Sequence, residues 1–325
     1  MKPNRIILIA IIALVAAIIV FFVFFYNRGQ GTAGLTPSPI TTPADPHTPA
    51  PLEEPLDVVI STDLVRELVF QLARTRLNEP VLLIERGENP LLYVPTEEDI
   101  LIMQEADLVI YNGLGLEPGL EAVLDEVKKT TKVAAITDTL EKNELITSLF
   151  YESGYDPHFW WNPDLWEKAI YHTVEIFSQL DPVNEFNYKS TFIRYGQSLS
   201  MLNNRYMKNW SGRLPDERRF IVSLHPSFAY FGRKFGFVTR SLYTPSSPDI
   251  VSPDQRRAVA DFIVEKQIKA IFPEAGYPVT EIEALQAEVA RRGYTVAIGE
   301  PLFSYFLGEE GQREYLYLDA GRTLM

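Results

Sequence analysis

From Asp57 onward, short apolar runs alternate with segments of helical spacing, and this happens twice. Strands of continuous apolar character separated by helices belong to βα units, whose parallel sheets are covered on both faces. The first series places strands at Val58 to Ser61, Val81 to Glu85, Leu108 to Tyr111 and Val133 to Ile136. One intervening helix is led by Thr96 with Glu97, Glu98 and Asp99 in its first turn, and another follows Glu117 and Pro118. The second series places strands at Phe220 to Leu224, Phe237 to Tyr243, Lys269 to Phe272 and Tyr294 to Ile298. Its helices open at Ser252-Pro253, running to about Lys266, and over Val279 to Arg292. Residues 163–210 contain no strand candidate. They show helical spacing on both sides of Asp181-Pro182, with Phe186, Phe192, Tyr195, Leu199 and Leu202 on the later stretch. The expected fold is therefore α/β: two lobes, each a parallel sheet flanked by helices, joined by a long helix. The lobes look alike in plan, although no internal sequence repeat is visible.

Ahead of these lobes, an unbroken apolar run from Ile6 to Tyr26 covers about 21 residues, enough at about 1.5 Å per residue to cross a bilayer core of about 30 Å. No small-residue cleavage site follows Tyr26, so the run is expected to be an uncleaved transmembrane helix rather than a signal peptide. Lys2 and Arg5 before it outnumber Arg28 after it, which places the N-terminus in the cytoplasm and the rest of the chain outside. Residues 27–56 are rich in Pro, Thr, Ala and Gly and read as an extended spacer. The expected division is an anchor at 1–26, a linker at 27–56, a first lobe at 57–162, a helical connection at 163–215 and a second lobe at 216–325.

The formal charge of −13, from 43 acidic and 30 basic residues, argues against nucleic acid as a partner and suits a cationic or neutral ligand. The chain has no cysteine, so disulfides, thiol nucleophiles and thiolate metal sites are excluded, and a borderline metal would have to be held by His, Asp and Glu. There are four histidines. His47 falls in the spacer, and His172 on a helix face.

Ligands in open parallel sheets bind beyond the carboxyl ends of the strands. His225 follows FIVSL, Glu274 follows KAIFP and Glu300 follows YTVAIG, so three metal-competent side chains leave one edge of the second lobe. Each has a plainer alternative as a helix cap or a solvated surface group. His158, in YDPHFWWNP, is set between prolines and beside three aromatics. An imidazole there suits a partly dry site, or it caps the helix after Pro163.

These segments together resemble the zinc- and manganese-binding proteins of ABC transporters, the TroA-like family. PTEEDILIMQEADLVIYNGLGLEPGLE is similar to that family's first-lobe pattern, DPHFWWNP to its Asp-Pro-His-x-Trp-x-x-Pro motif, and LHPSFAYFGRKFGF to its second histidine segment. KAIFPEAG and IGEPL resemble its Glu-Pro-Gln and Asp-Pro-Leu segments. The resemblance covers about residues 57–303. It implies one divalent metal held between the lobes, Zn²⁺ or Mn²⁺ as the transported ligand. It also implies delivery to an ABC permease and its cytoplasmic ATPase by a membrane-anchored monomer. It places the second ligand on His158, the third on His225 and the terminal carboxylate on Glu300. At the first ligand's position stands Leu91, in NPLLYVPT, which cannot ligate. Glu274, or Glu88 or Asn89 in the altered loop, is then expected to supply an oxygen. A family member that has lost metal binding and serves as an interaction module is the open alternative. The open coordination position also suits a catalytic metal, but no nucleophile or base constellation accompanies it, so an enzyme is not expected.

Overall fold

The computed structural model describes residues 54–244 and 249–305. The expected anchor at 1–26 and all but the last residues of the linker at 27–56 lie outside them. Among the described residues no helix is long and apolar enough to cross a membrane.

The first lobe is built on a parallel four-stranded sheet. Its strands are β1 (Val58–Ile60), β2 (Val81–Leu82), β3 (Leu108–Tyr111) and β4 (Lys132–Ala135), in the order β2-β1-β3-β4. Register pairs Val59 with Val81 and with Val109, and Ile110 with Ala134. Successive residues of β1 face opposite ways, as a pleated strand requires. Val58 and Ile60 enter the core shared with the connecting helices, whereas Val59 enters a second core with Leu83, Met103, Val109, Leu120 and Val127. Both faces are dry, which is why the strand is apolar throughout.

Helix α1 (Asp63–Ala73) begins at Thr62, whose hydroxyl accepts from Val65 N, and buries Leu64, Val65, Leu68, Val69 and Leu72. Helix α2 (Glu97–Glu105) carries the capping box its sequence announces: Asp99 N donates to the Thr96 hydroxyl at 3.1 Å and Thr96 N to the Asp99 carboxylate at 2.8 Å. The helix expected after Pro118 is two separate turns, α3 (Pro118–Glu121) and α4 (Leu124–Val127).

The connection divides where Asp181-Pro182 marks it, because proline cannot donate into a helix ladder. Helix α5 (Pro163–Leu180) packs along α6 (Glu185–Met201), which continues through a π-helical stretch (Leu202–Lys208) into α7 (Asn209–Ser211). The Asp181 carboxylate, buried at the junction, accepts from Arg76 (2.9 Å), Asn184 (2.9 Å) and Tyr188 (2.8 Å). These contacts hold it below the usual carboxylate range against the opposing effect of burial. Tyr188, Tyr195, Leu199 and Leu202 form the buried stripe of this stretch, while Phe186, on the apolar pattern in sequence, is 80% exposed.

In the second lobe, β5 (Phe220–Ser223) pairs with β6 (Val238–Ser241) and β7 (Ala270–Ile271) with β8 (Ala297–Ile298), both parallel. A hydrogen bond from Phe272 N to Val222 O (2.8 Å) joins the two pairs edge to edge. The order β6-β5-β7-β8 thus repeats that of the first lobe. Helices α8 (Ala229–Phe235), α9 (Pro253–Glu265) and α10 (Thr280–Ala290) complete it.

Aromatic side chains join the lobes. Trp161 stacks on Phe228 with centroids 5.4 Å apart, and Tyr230 donates to Asp156 O at 2.9 Å while accepting from Ile146 N at 3.0 Å. The largest core cluster accordingly runs from β1 through α5 and α6 to Phe228, Phe231, Leu302 and Tyr305.

Candidate metal site between the lobes

His158 is fixed by the residue two before it. Asp156 accepts from His158 N at 2.9 Å and from its Nδ1 at 2.7 Å, a local turn in which aspartate replaces a backbone acceptor. The Asn112 side chain donates to the intervening Pro157 carbonyl at 3.4 Å. Beyond the imidazole, Phe159–Trp161 form one 3₁₀ turn with all three rings buried. Asn162 then caps α5 by accepting from Asp164 N.

His225 leaves the carboxyl end of β5, and Glu274 leaves the carboxyl end of β7. The Glu274 carboxylate accepts from His225 N at 2.7 Å and from His225 Nδ1 at 2.9 Å. His225 and Glu274 are each 1% exposed and His158 is fully buried. Tyr277 and Tyr243 wall the His225 ring at 4.5 and 4.7 Å between centroids. Each imidazole therefore gives its Nδ1 proton to a carboxylate and keeps Nε2 as the nitrogen able to accept a metal. That is the carboxylate–histidine arrangement by which proteins fix the tautomer and aim of a metal ligand.

Between the two rings stands a residue that no sequence pattern singles out. Tyr305 lies 5.4 Å from His158 and 5.2 Å from His225 between ring centroids, and its hydroxyl is 3.2 Å from His158 Nε2. It reaches this position because the chain after β8 pairs with the chain after β7, through Leu302 N to Pro273 O (2.9 Å) and Ala275 N to Leu302 O (2.8 Å). Burial, with Tyr151, Tyr277 and Glu274 nearby, pushes the Tyr305 phenol well above its ordinary value, and the Ser227 hydroxyl opposes this.

Of the expected site residues, the structure brings His158, His225 and Glu274 to the lobe junction and leaves Glu300 elsewhere. Glu300 is exposed and lines a cavity of about 660 Å³ beside Phe220, Lys269 and Phe272. Leu91 lies half-buried in a 3₁₀ turn (Pro90–Leu92). Asn89 Oδ1 accepts from Leu91 N at 3.1 Å, and the Glu88 carboxylate accepts from Glu85 N at 3.0 Å, so both candidate oxygens close the loop on itself. Among the described residues no three His, Asp or Glu side chains converge on a point that would hold a metal ion. Asp156, two residues before the histidine in the DPH segment, was open to selection from sequence; Tyr305 was not.

Two α/β lobes of the same strand order that meet at two buried imidazoles have the plan of a two-lobed solute receptor. The family model described as zinc-uptake complex component A, periplasmic, matches residues 58–324, and the chain belongs to that family. Zinc-binding protein TroA of Treponema pallidum is 32% identical over 232 residues, 71% of this chain and 74% of that protein. Manganese-binding lipoprotein MntA of Bacillus subtilis is 31% identical over 235 residues, 71% of this chain and 75% of that protein. The solved structure of the periplasmic zinc-binding protein TroA superimposes with a TM-score of 0.78 at 29% identity. The match covers 83% of this chain and 96% of that one.

Proposed function

We propose that this chain is the solute-binding component of an ABC-type metal-uptake system. In this role it captures a divalent transition metal, Zn²⁺ or Mn²⁺, at the lobe junction and passes it to a permease driven by a cytoplasmic ATPase. It does so as a monomer tethered to the outer face of the membrane by its N-terminal segment, and as a receptor rather than an enzyme. The observation that carries this is the paired arrangement of His158 on Asp156 and His225 on Glu274. Buried carboxylates spent on orienting two imidazoles make sense where Nε2 must be presented in a fixed direction. His158 and His225 supply the two nitrogens. Glu274, already at the junction, would join them by giving up one of its bonds to His225, and Glu300 would contribute only if the chain after β8 moved.

A second reading has its own observation. Leucine at position 91 and a phenol on His158 Nε2 suit a receptor that joins its lobes without metal and recognises something else. One titration separates the two. The full chain in detergent, stripped with chelator, is expected to bind zinc or manganese with a Kd below about 10 μM, about −6.8 kcal/mol. No heat attributable to either metal at that level would sink metal capture and leave the second reading standing.

A further inference from the structure

Among the described residues, Tyr305 is the one side chain whose ring stands against both imidazoles, and it comes from the second lobe to reach the first. It is 3% exposed, and the carbonyl of its neighbour Ser304 accepts from Trp160 Nε1 at 3.1 Å. With His158 Nδ1–H donated to Asp156, Nε2 carries a lone pair, and the Tyr305 hydroxyl donates to it. That lone pair is the one a metal would take. The Tyr151 hydroxyl, also buried, has no hydrogen-bond partner among the described residues, and its ring stands 6.1 Å from His158. The junction therefore holds more polar capacity than its own side chains satisfy, which fits a site evolved for an occupant.

We propose that Tyr305 is the specificity-determining third residue of the junction: its phenol stands in the coordination space and joins the lobes through His158 Nε2 without a metal. A metal entering the site has to displace it, which weakens binding, and the lobes stay together when no metal is present. The statement about metal affinity rests on the function proposed above; the statement about lobe joining does not.

Because the chain lacks cysteine, Asp125→Cys and Glu283→Cys, both exposed and one on each lobe, give a clean pair for spin labels in the full chain in detergent. Metal-stripped protein is expected to show one narrow distance population that excess zinc leaves unchanged. Tyr305→Phe, which keeps the ring and loses the hydroxyl, is expected to add a longer population. A Tyr305→Phe distribution that superimposes on the parent's would overturn the clasp. Zinc calorimetry on Tyr305→Asp tests the coordination space, since a carboxylate there joins two imidazoles as a third ligand. Its affinity is expected to exceed the parent's by about 100-fold or more. An affinity within threefold of the parent's would overturn the placement of Tyr305. The parent's own titration judges the proposed function separately. If it binds nothing while Tyr305→Asp binds tightly, metal capture falls and Tyr305 as occupant is supported. If Tyr305→Asp fails to fold by circular dichroism, the Tyr305→Phe distances decide alone.

Discussion

Replacing Glu274 by glutamine tests the physical heart of the site with almost no change of shape. The carboxylate is fully buried and accepts two hydrogen bonds from one residue, His225 N and His225 Nδ1. Glutamine keeps one carbonyl acceptor, which suits the shorter bond from the backbone, and turns an amide N–H₂ toward Nδ1. Two donors cannot face each other, so the imidazole should move its proton to Nε2 and accept at Nδ1 instead. A bond to a charged acceptor contributes about 1.5–3 kcal/mol and a neutral one about 1 kcal/mol, so exchanging two of them costs about 2 kcal/mol. For a folded unit of this size that corresponds to a fall of about 4–8 °C in Tm. The tautomer is read from long-range ¹H–¹⁵N correlations of the imidazole rings, with His158, whose Nδ1 rests on Asp156, as the internal reference. The variant should show His225 protonated at Nε2, where it can no longer ligate, and metal binding weakened by tenfold or more, in line with about 10–100-fold for orienting partners elsewhere. A variant that keeps the proton on Nδ1 and melts within 1 °C of the parent would refute the claim that Glu274 sets the imidazole.

Three further outcomes follow from the same packing. Glu117, fully buried under Ser61 Oγ (2.7 Å) and the amides of Asn112 (3.0 Å) and Gly113 (3.3 Å), is pushed up by burial to about 7 from 4.5. Because its folded-state value lies above the unfolded one, the stability it contributes is full below pH 4.5 and is lost as pH rises through about 7. That change amounts to about 3 kcal/mol, so urea midpoints at pH 4 and pH 8 should draw apart in the parent and much less in Glu117→Gln; equal pH dependence would remove the argument. Gly119→Ala would place a Cβ 2.1 Å from the Tyr93 carbonyl, so α3 and the loop carrying Leu91 must separate. Equilibrium unfolding should show a loss of about 1–3 kcal/mol. Trp161→Ala removes a buried ring stacked on Phe228 across the lobes and should cost about 3–5 kcal/mol in the same assay, whereas a loss under 1 kcal/mol would mean the lobes are held elsewhere.

The architecture was legible in the sequence because it is written in local patterns. Apolar runs placed β1, β3 and β5 to within a residue, Thr96 and Asp99 announced their capping box, and Pro182 marked the division of the helical connection. Strands β7 and β8 are shorter than their apolar runs, and the two chains pair again only beyond them, at Glu274 and Leu302.

The site was legible only in part. A strand end says which edge a side chain leaves, not how far the following residues travel or which way they turn. Glu274 and Glu300 look equivalent by that rule, yet the first turns onto His225 and the second outward onto the surface. Tyr305, seven residues past the end of β8 at Ile298, carries no periodic or motif signal. It reaches the imidazoles only because two separate stretches of chain pair at Leu302, and contacts made across such sequence distances are the ones local pattern cannot encode. By itself, then, the sequence determined two βα lobes, the absence of thiol chemistry and two histidine segments, one at a strand end and one in an aromatic-lined loop. Tertiary structure alone decided that each histidine leans on a carboxylate and that a tyrosine stands between them.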